Sequence, residues 1–151
     1  MNDLSAVVAG VAEAVHGDDV RVIDDLLALL PEPMPADFVG PLLETLVDGH
    51  EYEEVLWSIV HAAESARTGA YERGLLSALP RLSRVAPEWA RVLLLRCMNS
   101  ETSLRALLSA LSDAPPIERD AVGSVAEILR HSRPEQFSAA ANAIASAVGR
   151  A

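Results

Sequence analysis

Four residues set along one helical side, Glu54, Trp57, His61 and Glu64, carry the side chains best suited to chemistry in this chain of 151 residues. Steps of three and four stack them on a helix, beside the apolar stripe Tyr52, Val55, Leu56, Ile59, Val60 and Ala63. A histidine one turn from a carboxylate can hold a metal, but a di-metal helical bundle needs matching Glu-x-x-His ligands on further helices. His50 and His131 stand without that context, and His16 lies near a helix end. His50-Glu51-Tyr52-Glu53-Glu54 approaches the zinc motif His-Glu-x-x-His, but Glu54 replaces the second histidine and His50 precedes the helix. No metal site is expected.

Nucleophilic and cofactor chemistry find no better footing. The chain has no Gly-x-Ser-x-Gly elbow, no phosphate-binding loop and no dinucleotide fingerprint. Ser58 sits on a helix with no evident base. The single cysteine, Cys97, falls in an apolar helix, where a small buried filler is expected rather than a reactive thiol. The reading is a protein that is not an enzyme and carries no cofactor. Glu54, Trp57, His61 and Glu64 are better used in a structural polar network with Trp89, Arg96 and Asn99, in which carboxylates on one helix satisfy Arg96 and Asn99 on another.

The second helix of that network runs from Pro87 to Met98. Proline suits the first turn and Glu88 the positive end of the dipole. Asn99 can end the helix in a left-handed conformation, and Ser100 can cap the next one, with Glu101 in its first turn. Positions between are apolar nearly all round, which predicts a helix buried in the middle of its domain, with Arg96 and Asn99 as polar exceptions needing partners.

Around these two helices the periodicity predicts about nine in all. Leu4 to Val15 is helix-compatible and ends at Gly17. Asp18 or Asp19 can cap a second helix bearing Val20, Ile23, Leu26, Leu27 and Leu30, with Asp24 and Asp25 on its outer side. Pro31 to Pro35 is a firm break. Asp37 is then expected to cap a helix running through Phe38, Leu42, Leu43, Leu46 and Val47 to Asp48-Gly49. A helix bearing Tyr71, Leu75, Leu79, Leu82 and Val85 should kink at Pro80. Thr102 to Leu111, Ile117 to Leu129 and Pro134 to Val148 complete the set. No strand is convincing. Short turns favour antiparallel hairpins stacked side by side, an α-solenoid-like (HEAT-like) all-α single domain over residues 1–151, although no strict sequence repeat occurs.

Charge is unevenly placed. Residues 1–66 hold 14 Asp and Glu against one arginine, Arg21, whereas residues 67–151 hold 8 against 11 arginines, and lysine is absent. The total of −10 argues against direct binding to nucleic acid, which needs a basic face. It suits either simple solubility or a basic protein partner. No apolar run is long enough to span a membrane and the start lacks a signal peptide's basic region, so a cytoplasmic protein is expected.

Two passages carry a family resemblance. Glu54-Val55-Leu56-Trp57-Ser58-Ile59-Val60-His61-Ala62-Ala63-Glu64 is similar to the pattern acidic-x-x-aromatic-Ser-Ile-x-His-x-x-Glu. Pro87-x-Trp89-Ala90-x-x-Leu93-x-x-Arg96-x-x-Asn99-Ser100 resembles the Trp-Ala-x-x-Leu-x-x-Arg-x-x-Asn-Ser element that follows it, with a Tyr71 helix and Leu79-Pro80 between. These residues, within about 50–112, resemble the immunity protein 30 family of bacterial polymorphic toxin systems; Met98 stands where that pattern usually has leucine. The resemblance implies an all-helical protein that binds a cognate toxin, by stoichiometric inhibition, and so protects the producing cell. If that toxin is a nuclease with a basic surface, Asp18, Asp19, Asp24, Asp25, Asp48, Glu51, Glu53 and Glu54 are the candidate partner-binding residues, standing where phosphates would. A helical-repeat scaffold for other proteins is the alternative, and a metal-dependent helical hydrolase using His61 and Glu64 a more distant one.

Overall fold

The computed structural model describes residues 3–149, and among them nine helices and no strand. They are α1 (Leu4–His16), α2 (Val20–Leu27), α3 (Ala36–Leu43), α4 (Glu53–Glu64), α5 (Ala70–Val85), α6 (Pro87–Met98), α7 (Glu101–Leu111), α8 (Pro116–Ser132) and α9 (Pro134–Gly149). None is long and apolar enough to cross a membrane.

Local chemistry starts most of them. The Asp3 carboxylate accepts from the Ser5 amide to begin α1, and Asp19, rather than Asp18, accepts from the Val22 amide to begin α2. Ser100 accepts from the Ser103 amide at the start of α7. Pro87 and Pro116 occupy first turns, where a missing N–H costs nothing. Asn99 departs from expectation. It is right-handed, with φ −82°, because the Asn99 and Ser100 amides bond back to Leu95 and Cys97 without a left-handed turn.

Helix α3 departs further. Asp37 lies inside its first turn, Pro35 occupies the capping position, and no side chain caps the helix. The helix ends at Leu43 and not at Asp48. Beyond it the Thr45 and Leu46 amides bond three residues back, to Leu42 and Leu43, and the Thr45 hydroxyl also donates to Leu42 O at 2.7 Å. This tighter winding still buries Leu46, which is why the apolar spacing reads on past the helix end. Helix α5 runs through Pro80 to Val85 as one element.

Consecutive helices pair as hairpins, and the hairpins stack. Helix α1 packs on α2, α3 on α4, α5 on α6 and α8 on α9, while α1, α3, α5 and α8 succeed one another in a row and α7 packs on α5, α6 and α9. The hub is α5, which touches α3, α6, α7 and α8. Leu75, Leu76, Leu79 and Leu82 are fully buried there. Helix α6 is less central than its composition suggests. Trp89, Ala90, Leu93, Leu94, Cys97 and Met98 are buried, but Val92 and Leu95 are half-buried and Arg96 and Asn99 exposed. One continuous apolar core runs from Val8 to Ile144.

The closest helix crossing, α3 on α5, depends on two glycines. A methyl group on Gly74 would run into the Val39 side chain and approach the Gly40 amide, and one on Gly40 would meet the Ser77 hydroxyl. Here glycine is required by the nearness of two backbones. Gly74→Ala is expected to destabilise the fold by about 2–3 kcal/mol through overpacking, against a slight gain at an open helical site. Urea unfolding of the two chains reads the difference directly.

Candidate functional site

Helices α4 and α6 stand too far apart for close backbone packing, and long side chains bridge them. Trp57 on α4 meets Trp89 on α6 edge-to-face, with ring centroids 5.1 Å apart and planes at 68°. The Arg96 guanidinium lies 5.2 Å from the Trp57 ring centroid, and its Nε and Nη2 donate to the two oxygens of Glu64 at 2.9 and 2.8 Å. These hydrogen bonds to Glu64 raise the Arg96 pKa, although burial opposes them. The Arg96 side chain is 41% exposed, so the ion pair contributes at most about 1 kcal/mol; stacking on Trp57 adds a similar amount. Four of the seven residues, Trp57, Glu64, Trp89 and Arg96, are thus brought together, with Trp89 in the core and Arg96 at the surface.

The other three expected members fare differently. His61 is exposed, its ring tilted 37° to Trp57 at 6.1 Å. Glu54 is exposed and outside the bridging set, because it lies at the opposite end of α4 from Glu64. Asn99 faces a cavity next to Arg96.

The acidic candidates also divide. Asp48 caps α6 from outside its own chain segment: Oδ2 accepts from the Glu88 amide at 2.9 Å and Oδ1 from the Trp89 amide at 3.2 Å. Beside it the Trp89 indole donates to Val47 O at 3.0 Å, so the α3–α4 connection is fastened to the start of α6. Asp19 is occupied by the α2 cap. Asp18, at φ 55°, places its carboxylate 3.0 Å from His50 Nε2. Asp24, Asp25, Glu51, Glu53 and Glu54 are exposed, Asp24 and Asp25 on α2, which packs beside α4.

His50, without a role in the sequence reading, proves to be a buried strut with only 2% of its side chain exposed. Its Nδ1 accepts from the Tyr52 amide at 2.9 Å, so Nε2 carries the hydrogen that faces Val15 O at 3.2 Å and Asp18. The ring joins the α1–α2 turn to the entry of α4.

A second group of polar residues gathers where α5, α6 and α7 meet, around a cavity of about 500 Å³. Glu72 is only 4% exposed. Its Oε1 accepts from the Gly69 amide at 2.7 Å, and its Oε2 from the Ser103 hydroxyl at 2.6 Å. The Ser103 oxygen is also 3.2 Å from Cys97 Sγ. Next to Glu72, the Tyr71 hydroxyl is buried with no protein group in hydrogen-bond reach. Burial raises the Tyr71 pKa, Glu64 raises it further, and Arg96 pulls the other way. Burial also pushes the Cys97 thiol up to about 11, against the Ser103 hydrogen bond. Sequence reasoning passed over Tyr71 and Glu72 as a site. The legible signal was Glu72 itself, a carboxylate three residues after Gly69 and within the buried arc of α5.

Among the described residues no three His, Cys, Asp or Glu side chains gather closely enough to hold a metal ion. The polar groups instead hold helices in place or face outward as charges. The family model of immunity protein 30 matches residues 14–107, more than half of the chain. The chain belongs to the immunity protein 30 family. The match begins well before the 50–112 stretch that carries the motifs, and so takes in α2 and α3. Neither a curated protein nor a solved structure matches it.

Two predictions follow from this geometry. Asp48→Ala removes two accepted hydrogen bonds from the start of α6 and is expected to cost about 1–2 kcal/mol, whereas Asp48→Asn, retaining one acceptor oxygen, loses less; chemical denaturation of both variants checks the order. The folded Cys97 thiol keeps its proton up to about pH 11, while in the unfolded chain it titrates near 9.0. Between those values the unfolded state binds fewer protons, so this group's contribution to stability falls as pH rises. Denaturation midpoints measured from pH 8 to 11 should fall less steeply for Cys97→Ala than for the parent.

Proposed function

We propose that this protein binds and neutralises a cognate toxin of a bacterial polymorphic toxin system, protecting the cytoplasm of the cell that makes both. The observation that carries this reading is the family match over residues 14–107. Supporting it, the helical stack spends Trp57, Trp89, Arg96 and Glu64 on rigidity. A rigid inhibitor loses little freedom when it docks.

The proposed partner has a basic surface, of the kind a nuclease uses to hold phosphates. Asp24, Asp25, Glu51, Glu53 and Glu54 are the acids free to face it, since Asp19 and Asp48 are committed to helix ends and Asp18 lies against His50. Complementary charge of this sort speeds encounter more than it slows release. A helical-repeat scaffold remains the second reading, favoured by the stacked hairpins.

Co-expression with the toxin domain encoded beside the gene tests the proposal. Restored growth and a one-to-one complex are the expected result; neither, with both proteins folded, overturns it in favour of the scaffold. In the complex, Asp24→Asn, Asp25→Asn, Glu53→Gln and Glu54→Gln combined should slow association at low salt by about tenfold and flatten its salt dependence, leaving dissociation nearly unchanged. An unchanged association rate would reject the charge role alone.

A further inference from the structure

We propose that the cavity between α5, α6 and α7 is a socket for one basic side chain, arginine or lysine, presented by the toxin. The inference rests on the toxin-binding reading and names the contact chemistry on this chain's side.

Two carboxylates, Glu64 and Glu72, stand in the walls. Each oxygen of Glu72 accepts one hydrogen bond, from the Gly69 amide and from the Ser103 hydroxyl. Each oxygen of Glu64 accepts one from Arg96. A carboxylate has about four acceptor positions, so both retain capacity. Arg96 Nε and Nη2 and the Ser103 hydroxyl are engaged by these same acids. Guanidinium and ammonium are the side-chain groups that donate and never accept, and they match such a lining. An anion would face two carboxylates and find the one cation already paired. An apolar group would bring no donor to the acceptor positions that remain.

Tyr71 supplies the independent observation. It is 7% exposed, and its hydroxyl has no partner although it lies among Glu64, Glu72, Arg96 and Cys97. A buried hydroxyl without a partner works against the fold, and in a native protein it calls for an explanation. The acids raise this phenol's pKa beyond what burial alone does, which marks a negative field at the oxygen. A cation entering between Glu64 and Glu72 gives the hydroxyl its missing partner and relieves that field. Glu64 and Arg96, 25% and 41% exposed, line the cavity and also reach solvent, so a cation approaches past them.

The test uses the full chain, ¹⁵N-labelled, and N-acetyl-arginine methylamide as probe, with the norleucine and glutamate analogues as controls. Saturable amide shifts confined to Gly69, Glu72, Asn99 and Ser103 are expected with the arginine probe and not with the controls. Tyr71→Phe should bind the probe about tenfold more weakly, the size of one hydrogen bond to a charged group, while its thermal midpoint stays level or rises. A phenol with a merely structural role predicts the reverse pair, an unchanged affinity and a lower midpoint. Glu72→Gln, which keeps the side chain's shape, should weaken binding further. No shifts, equal shifts with norleucine, or unchanged affinity in both variants would overturn the socket. Toxin binding distinguishes the two proposals. A toxin held equally by the parent and Tyr71→Phe removes the socket and leaves the inhibitor reading intact. Arginine binding without any toxin complex or protection removes the inhibitor reading and leaves the basic-group site.

Discussion

A carboxylate taken into a protein interior must have every oxygen answered, and in this fold that demand falls on Glu72. One oxygen holds the Gly69 amide, which secures the first turn of α5; the other holds the Ser103 hydroxyl, which secures the first turn of α7. Helix α5 is the hub of the stack, so the same side chain sets where the hub begins and how α7 leans on it. Ser103 also donates its amide to Ser100, making it both part of the α7 cap and the anchor for Glu72. Replacing this arrangement with apolar side chains would fill space equally well. It would not specify the mutual register of α5, α6 and α7 in the same way.

The rest of the architecture follows from two different ways of bringing helices together. Helix α3 approaches α5 so closely that only hydrogen fits at Gly40 and Gly74, and the contact is backbone against backbone. Helices α4 and α6 take the opposite course. Two indoles, a guanidinium and a carboxylate fill the interval, and Asp48 with Trp89 pins the end of it. Close packing on one side of α5 and long side-chain spacers on the other open the cavity at the spacer end. A cavity there is a consequence of the geometry. Its lining of acids and an unanswered phenol is a consequence of the sequence.

Much of this was readable in the chain and some was not, for physical reasons. Helix ends marked by Pro87, Ser100 and Pro134 lie where local chemistry puts them, because a helix start is decided within four residues. The bridge from Glu64 to Arg96 was legible as a need for partners, since an arginine amid apolar residues must find a carboxylate. Its exposure was not legible. Periodicity shows that a side is apolar without showing how much of it a neighbour covers, and α6 is flanked on its Arg96 side by spacers instead of a packed helix. The end of α3 was misplaced because Leu46 stays buried in a tighter turn. The roles of His50 and Asp48 were invisible for a further reason. Their partners, Val15 O and the amides of Glu88 and Trp89, are backbone groups 35 to 41 residues away, and backbone groups leave no mark in a sequence.

The division of the acids bears on what the charge of the first half is for. Here the acids nearest helix ends, Asp3, Asp19 and Asp48, are absorbed as caps. Those left over on α2 and at the start of α4 belong to two helices that pack side by side. The arginines of the second half are partly neutralised within the fold, by Glu64, Glu101, Asp113 and Glu127. Arg96 with Glu64 and Arg81 with Glu44 pair across the two halves, so the asymmetry left at the surface is somewhat smaller than the formal totals. Exposed acids lie on α2 and at the start of α4, and also at Glu13 on α1, at Glu32 and at Asp37 on α3, while Glu64 of the cavity lies at the far end of α4. A basic partner laid along α4 would meet the open charges first and the enclosed ones last, the order in which long-range attraction precedes a close and selective contact.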